Sequence, residues 1–284
     1  MTATVRERHV SARDGVRLFV RDWGSGRSDR IPLLCLPGLT RNSKDFDAVA
    51  RRQSAHRRVI CPDLRGRGRS GYARDWRSYE PTVYLDDIRN LLAALGVERF
   101  VVLGTSLGGL LGMALATTMA PGLAGLILND VGPQVEADGM GRILTYIAVD
   151  KPLPDWATAV RAVRERFNKL SLSTDAEWLE FARSTYREGT DGQLHFDWDV
   201  DIIKPILKPQ QPPADLWPLW RGLGGCPTLA IRGGVSDILS AATLERMAAE
   251  KPDLLQLTVP NVGHVPSLAE PGVPEAIDDF LSRF

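Results

Sequence analysis

Residues 100–118 read Phe100-Val-Val-Leu-Gly104-Thr-Ser106-Leu-Gly108-Gly-Leu-Leu-Gly-Met-Ala-Leu-Ala-Thr-Thr118. The first four residues form an apolar, β-branched run of the kind that makes a buried strand, and Leu107–Met119 reads as an apolar helix. Between them lies Gly104-x-Ser106-x-Gly108. A serine on a sharp strand-to-helix turn needs small neighbours two residues to either side, because strand and helix approach closely there. Such a turn holds the hydroxyl at the start of a helix, with the next backbone N–H facing the point where negative charge develops on an attacked carbonyl. Ser106 is therefore the candidate nucleophile, and the Leu107 N–H a candidate oxyanion donor.

The same alternation extends in both directions. Residues 4–11 and 16–23 read as a strand hairpin about Asp14-Gly15, followed by a polar loop from Gly24 to Asp29. Ile31–Leu36, Arg58–Cys61, Leu126–Leu128, Pro227–Ile231 and Leu254–Val259 are short apolar runs that suit buried strands. Helical patterns fall at 43–53, 82–95, 240–250 and 273–283, with Gly96 closing the second. Strands alternating with helices predict an α/β chain: a mostly parallel sheet covered on both faces, with an antiparallel edge from the first hairpin. Between Gly132 and Gly225 the rhythm breaks. Residues 155–170 and 174–187 read as amphipathic helices, five of the 19 prolines fall at 205, 209, 212, 213 and 218, and five of the seven tryptophans are Trp156, Trp178, Trp198, Trp217 and Trp220. Residues 133–225 thus form a helical cap inserted into a core of 1–132 and 226–284, with Gly222-Leu-Gly-Gly225 as the return hinge. The Asp197, Asp199 and Asp201 cluster reads as a solvated turn, and Arg142, Arg183 and Arg187 as surface arginines.

A serine hydroxyl needs a base. Four histidines are present: His9 in the first strand, His56 ahead of a strand, His195 in the insertion, and His264 just past the last strand. Strand C-termini in a parallel sheet open on one edge, so His264 and Ser106 can meet. Asp237, past the strand at 227–231, is the expected acid that orients the imidazole. Asp130, past the strand at 126–128, is the alternative. The second oxyanion donor is expected from Pro37-Gly38-Leu39-Thr40, as the Leu39 N–H, and the Thr40 hydroxyl is a further possible donor.

Composition excludes several classes. The 284 residues carry 35 basic and 35 acidic side chains, leaving no net field for nucleic acid or an anionic membrane. Cys35, Cys61 and Cys226 form no framework and read as buried thiols. The N-terminal stretch lacks the apolar segment of a signal peptide, and no run approaches a membrane span, so the expected location is cytoplasmic.

The segments Pro37-Gly38, Pro62-Asp63-Leu-Arg65-Gly-Arg67-Gly-Arg-Ser70, Gly104–Gly108, Ser236-Asp237 and Gly263-His264 together resemble the α/β-hydrolase fold of capped bacterial serine hydrolases. The resemblance runs from about residue 10 to the C-terminus, outside most of the insertion. It implies an eight-stranded, mostly parallel sheet with helices on both faces and a helical cap. The order Ser106, Asp237, His264 is that of nucleophile, acid and base in this group. It implies an esterase or lactonase acting on a small-to-medium carboxylic ester or lactone through an acyl-enzyme, with no metal or organic cofactor, as a monomer or homodimer. Enol-lactone or carbon–carbon bond hydrolysis with the same residues, or a ligand-binding scaffold, are the alternatives. A serine rather than an aspartate at position 106 argues against dehalogenase and epoxide hydrolase chemistry. The relatives usually carry His-Gly at the oxyanion loop, where this chain has Pro37-Gly38, which bears on loop shape and not on the backbone donor.

Overall fold

The computed structural model describes residues 4–24, 28–119, 121–207 and 215–284. Residues 1–3, Ser25–Arg27 of the expected polar loop, and Pro209, Pro212 and Pro213 of the proline-rich stretch lie outside the described residues. Eight strands form one sheet: β1 (Val5–Ser11), β2 (Arg17–Trp23), β3 (Leu33–Leu36), β4 (Val59–Pro62), β5 (Phe100–Thr105), β6 (Leu123–Asn129), β9 (Thr228–Gly233) and β10 (Leu255–Val259). Their order is β1-β2-β4-β3-β5-β6-β9-β10. The first hairpin gives the antiparallel edge, and every pairing from β4 to β10 is parallel. The crossover order puts the C-termini of β3, β5, β6 and β9 side by side, which is the edge where a doubly wound sheet holds its site.

Strand periodicity divides the core into two layers. Leu33 and Cys35 of β3, Val101 and Leu103 of β5 and Ile127 of β6 face one side, while Leu34, Leu36, Val102, Leu126 and Leu128 face the other. The first side is covered by α1 (Asp47–Gln53) and α9 (Val273–Leu281), through Val49, Ala50, Ile277 and Phe280. The second is covered by α2 (Pro81–Ala94), α3 (Leu107–Thr118) and α8 (Ala241–Glu250), through Ile88, Leu91, Leu111, Leu115, Leu244 and Met247. With both faces buried, the central strands read as unbroken apolar runs. Cys35 and Cys61 are buried free thiols, and burial pushes the Cys61 thiol well up; Cys226 is free and half-buried.

Between β6 and β9 come α4 (Ala137–Ile147), α5 (Trp156–Arg166), α6 (Asp175–Thr185), the hairpin β7 (Tyr186–Glu188) and β8 (Leu194–Phe196), and α7 (Trp217–Arg221). The sequence did not signal α4 or the hairpin, and the helix expected over 174–187 stops at Thr185 because Tyr186 pairs with Phe196 in the hairpin. Trp178, Tyr186, Phe196 and Trp198 are buried, and Phe196 stacks on Trp198 with centroids 4.0 Å apart, so these rings form the insertion's own core. α7 belongs to the sheet's helical layer. Trp220 is buried, a Cβ on Gly222 would meet Thr117 of α3, and the Arg246 guanidinium of α8 lies 3.6 Å from the Trp217 ring centroid. The chain is thus back on the sheet by Trp217, ahead of the expected hinge at Gly222–Gly225. Among the described residues no helix is long and apolar enough to cross a membrane.

Candidate active site

Ser106 sits between β5 and α3 with φ 52° and ψ −117°, a strained conformation for a non-glycine residue that costs about 1–3 kcal/mol. The two glycines permit it. A Cβ on Gly104 would collide with the Gly108 carbonyl, and one on Gly108 with the Leu36 carbonyl of β3. The Ser106 N–H donates to the Asn129 carbonyl at 3.0 Å, which pins the turn to β6.

His264 lies on the loop after β10. The Gly263 N–H donates to the Lys169 carbonyl at 2.8 Å, and the Asn129 side-chain amide donates to the Pro266 carbonyl at 3.0 Å, so the insertion and β6 both hold this loop. His264 Nε2 is 3.1 Å from Ser106 Oγ, and Nδ1 is 2.8 Å from Asp130 Oδ2. An ionised carboxylate only accepts, so Nδ1 carries the proton and Nε2 is left to accept from the serine hydroxyl. Asp130 is fully buried, one residue past β6, at φ 56°. Its Oδ1 accepts the Gly233 N–H at 2.8 Å, and its Oδ2 also accepts the Ser236 hydroxyl at 2.6 Å.

The structure brings Asp130 to His264, and not Asp237. Asp237 accepts from Arg142 Nε at 2.8 Å and Nη2 at 2.9 Å, and that hydrogen-bonded pair holds its carboxyl below the usual range. The reason is reach. Asp130 leaves a central strand beside β5, whereas Asp237 lies on a loop that has already turned toward α4, whose Gly139 packs directly on the Asp237 carbonyl. The residue from this loop that reaches the imidazole's partner is Ser236, which the sequence reading did not assign.

Leu107 is the first residue of α3, so its N–H has no intrahelical acceptor. Across from it, a Cβ on Gly38 would lie 3.7 Å from Ser106 Cβ, which brings the Pro37–Thr40 loop against the serine. The Leu39 carbonyl accepts from Arg67 Nε at 2.8 Å. Above the loop, the Tyr146 hydroxyl of α4 lies 3.4 Å from Thr40 Oγ1, and burial pushes the phenol up despite the nearby arginines 41, 142 and 166. α4 therefore spans the site, with Arg142 tied to the Asp237 loop and Tyr146 over the Pro37–Thr40 loop.

The other predicted residues stand elsewhere. His195 pairs with Asp150 at 2.6 Å and Asp191 at 3.0 Å on the β7–β8 hairpin, and His9 packs on Phe19. Asp197 and Asp199 do not form a solvated turn. Asp197 is buried against Lys44 and Asn42, and Asp199 accepts the Tyr79 hydroxyl at 2.6 Å. In the 62–70 loop, Asp63 accepts the Ser43 and Arg69 N–H groups, and Arg65 pairs with Asp87 and Asp14. Arg183 pairs with Glu180 on α6, and Arg187 lies over the Tyr72 ring.

A family model described as "Alpha/beta hydrolase family" matches residues 33–275. The chain belongs to the alpha/beta hydrolase family. It is 33% identical over 262 residues to a 3-hydroxybutyrate-oligomer hydrolase of Cupriavidus necator, covering 90% of this chain and 89% of that protein. It is 28% identical to a 2-(acetamidomethylene)succinate hydrolase of Mesorhizobium japonicum, covering 94% of this chain and 92% of that protein. A crystal structure of an alpha/beta hydrolase from Novosphingobium aromaticivorans superposes with a TM-score of 0.93 at 41% identity, over all of both chains. This alpha/beta hydrolase is accordingly a hydrolytic enzyme.

Proposed function

We propose that this hydrolase cleaves small-to-medium carboxylic esters through an acyl-enzyme on Ser106. The observation that carries the reading is the continuous chain from Ser106 Oγ through His264 to the buried Asp130. Ser106 Oγ attacks the ester carbonyl as His264 Nε2 takes its proton, and Asp130 steadies the imidazolium that forms. The Leu39 and Leu107 N–H groups donate to the oxyanion. His264 then gives the proton to the leaving alcohol, and water, activated by the same imidazole, releases the acid. No step calls for a metal or organic cofactor.

The substrate we favour is a linear ester of a hydroxy acid with a free carboxylate, for two reasons. The Cupriavidus relative acts on 3-hydroxybutyrate oligomers. At the end of α5, Arg166 and Lys169 have no carboxylate partner among the described residues. The Arg166 guanidinium lies 4.8 Å from the Tyr146 ring centroid, and the Lys169 backbone bonds beside His264.

The test is turnover of p-nitrophenyl esters, acetate to octanoate, and of 3-hydroxybutyrate dimer and trimer, by wild type and Ser106→Ala. Turnover in wild type that vanishes in the variant is expected, with the oligomers preferred. Absence of ester turnover in folded wild type would move the reading to lactone, enol-lactone or carbon–carbon bond cleavage, and a stoichiometric burst without turnover would favour a binding protein.

A further inference from the structure

Arg67 is the one arginine of the Gly-rich 62–70 loop whose charge the fold neither exposes nor pairs with a carboxylate. Its side chain is fully buried, yet among the described residues no carboxylate pairs with it, whereas its neighbour Arg65 takes both Asp14 and Asp87. Three neutral acceptors hold the guanidinium instead. Nε donates to the Leu39 carbonyl at 2.8 Å, and Nη1 donates to the Arg65 carbonyl at 2.6 Å and the Tyr84 hydroxyl at 2.8 Å. The rings of Tyr84 and Tyr79 lie 4.9 Å and 5.8 Å from the guanidinium carbon. Nη2 has no hydrogen-bond partner, and its fork with Nε opens on the Leu39 side. A buried charge without a counter-ion is costly, so a bland packing role does not account for it.

We propose that Arg67 is a positioning residue for the oxyanion loop and that its uncompensated charge favours the negative oxygen formed there. The proposal rests on the oxyanion role given above to the Leu39 N–H. The Nε bond fixes the Leu39–Thr40 peptide plane and so anchors the C-terminal side of Leu39, whose own N–H lies in the preceding peptide plane. The charge lies in a water-excluded region, where its field reaches the oxyanion with little screening. Backbone bonds on both flanks hold the loop that carries Arg67: the Gly68 N–H donates to the Asp197 carbonyl and the Asp199 N–H to the Gly66 carbonyl, both at 2.8 Å. The guanidinium is therefore set in place before substrate arrives.

The test compares wild type with Arg67→Met, Arg67→Gln and Arg67→Lys by titration with butylboronic acid. In the adduct a Ser106 Oγ–boron bond forms, the hydroxyl proton passes to His264, and the tetrahedral boron carries the negative charge. Butyramide serves as the uncharged control, since it occupies the acyl site with a neutral carbonyl and does not form that adduct. Deleting an oxyanion donor outright costs a factor of about 10²–10³ in kcat, and misaiming one should cost less. The expected result is a boronate Kd raised about tenfold or more in the Met and Gln variants, recovered to within about threefold by Lys, with affinity for the neutral butyramide unchanged throughout. Gln keeps a donor to the Leu39 carbonyl and most of the packing, so it decides the matter should the Met variant not fold. Equal boronate affinity in folded Gln and wild type overturns the proposal, as does an equal loss for boronate and butyramide. A wild type that binds no boronate overturns the serine reading itself, and this proposal with it.

Discussion

Asp130 and Asp237 both follow strands that end on the same edge of the sheet, and their surroundings separate them. Asp130 is buried with three donors on its carboxylate, one of them His264, while Asp237 is partly exposed and saturated by Arg142. Asp130→Asn should lower kcat about 10⁴-fold, since an amide can hold the imidazole in the wrong tautomer. Asp237→Asn should stay within about threefold, because it disturbs only an outer ion pair. Steady-state kinetics on a short p-nitrophenyl ester checks both, and a larger loss at Asp237 would return the acid role to it. The structure brings together Ser106 and His264, which a motif and an elimination among four histidines singled out. The carboxylate beside His264 was not legible, because chain order and strand edge fit both candidates, and the distance that separates them lies in how far each loop turns after its strand. Asn129 and Ser236, which brace the histidine loop and the acid, carry no sequence signal apart from their neighbours.

At the scale of elements, the sheet strands were readable since burial on both faces demands unbroken apolar runs. The insertion was less so: α4 contains two glycines, and β7 and β8 are only three residues each. α6 is the exception, opened by a full capping box in which Thr174 accepts the Glu177 N–H and Glu177 reaches back to the Thr174 N–H. Those backbone bonds pull the Glu177 carboxyl down to about 2. Its contribution is thus present above the ordinary carboxylate range and is lost as pH falls toward 2. Thr174→Ala should cost about 1 kcal/mol in chemical denaturation at pH 7. Glu177→Gln should lower the thermal midpoint at pH 7 and leave it nearly unchanged near pH 2. The hairpin shows the opposite sign. Asp150 first, and Asp191 second, raise the His195 imidazole above its ordinary value. The stabilisation that His195 gives is full below the ordinary imidazole range and disappears as pH rises through the raised value. Amide exchange in residues 186–196 should be slower in wild type than in His195→Gln at pH 6, and equal in the two at pH 9.

In the whole molecule the insertion rests on the segment that follows β3. Arg41 donates to Ser184 and Thr185 of α6 at 2.6 and 2.7 Å, and Lys44 to the Arg183 carbonyl at 2.8 Å. The buried Asn42 amide donates to the Ser184 carbonyl at 2.9 Å and to Asp197 at 3.2 Å. Asn42→Ala leaves those buried acceptors short of a donor and should cost about 1–3 kcal/mol. Limited proteolysis should then cut residues 137–207 before the sheet, whereas simultaneous loss of both would mean that the insertion and the sheet unfold as one.

That seat begins one residue after Thr40, so the backbone that faces the nucleophile continues directly into the backbone that grips α6. An exchange of the insertion between two members of the family would therefore not be a clean transplant at 133 and 225. A chimera that keeps its own residues 37–46 under a foreign roof would have mismatched grips and a tilted donor loop, and would bind substrate while turning it over poorly. The transferable cassette is discontinuous: the insertion together with the ten residues after β3, and the two must travel as a pair.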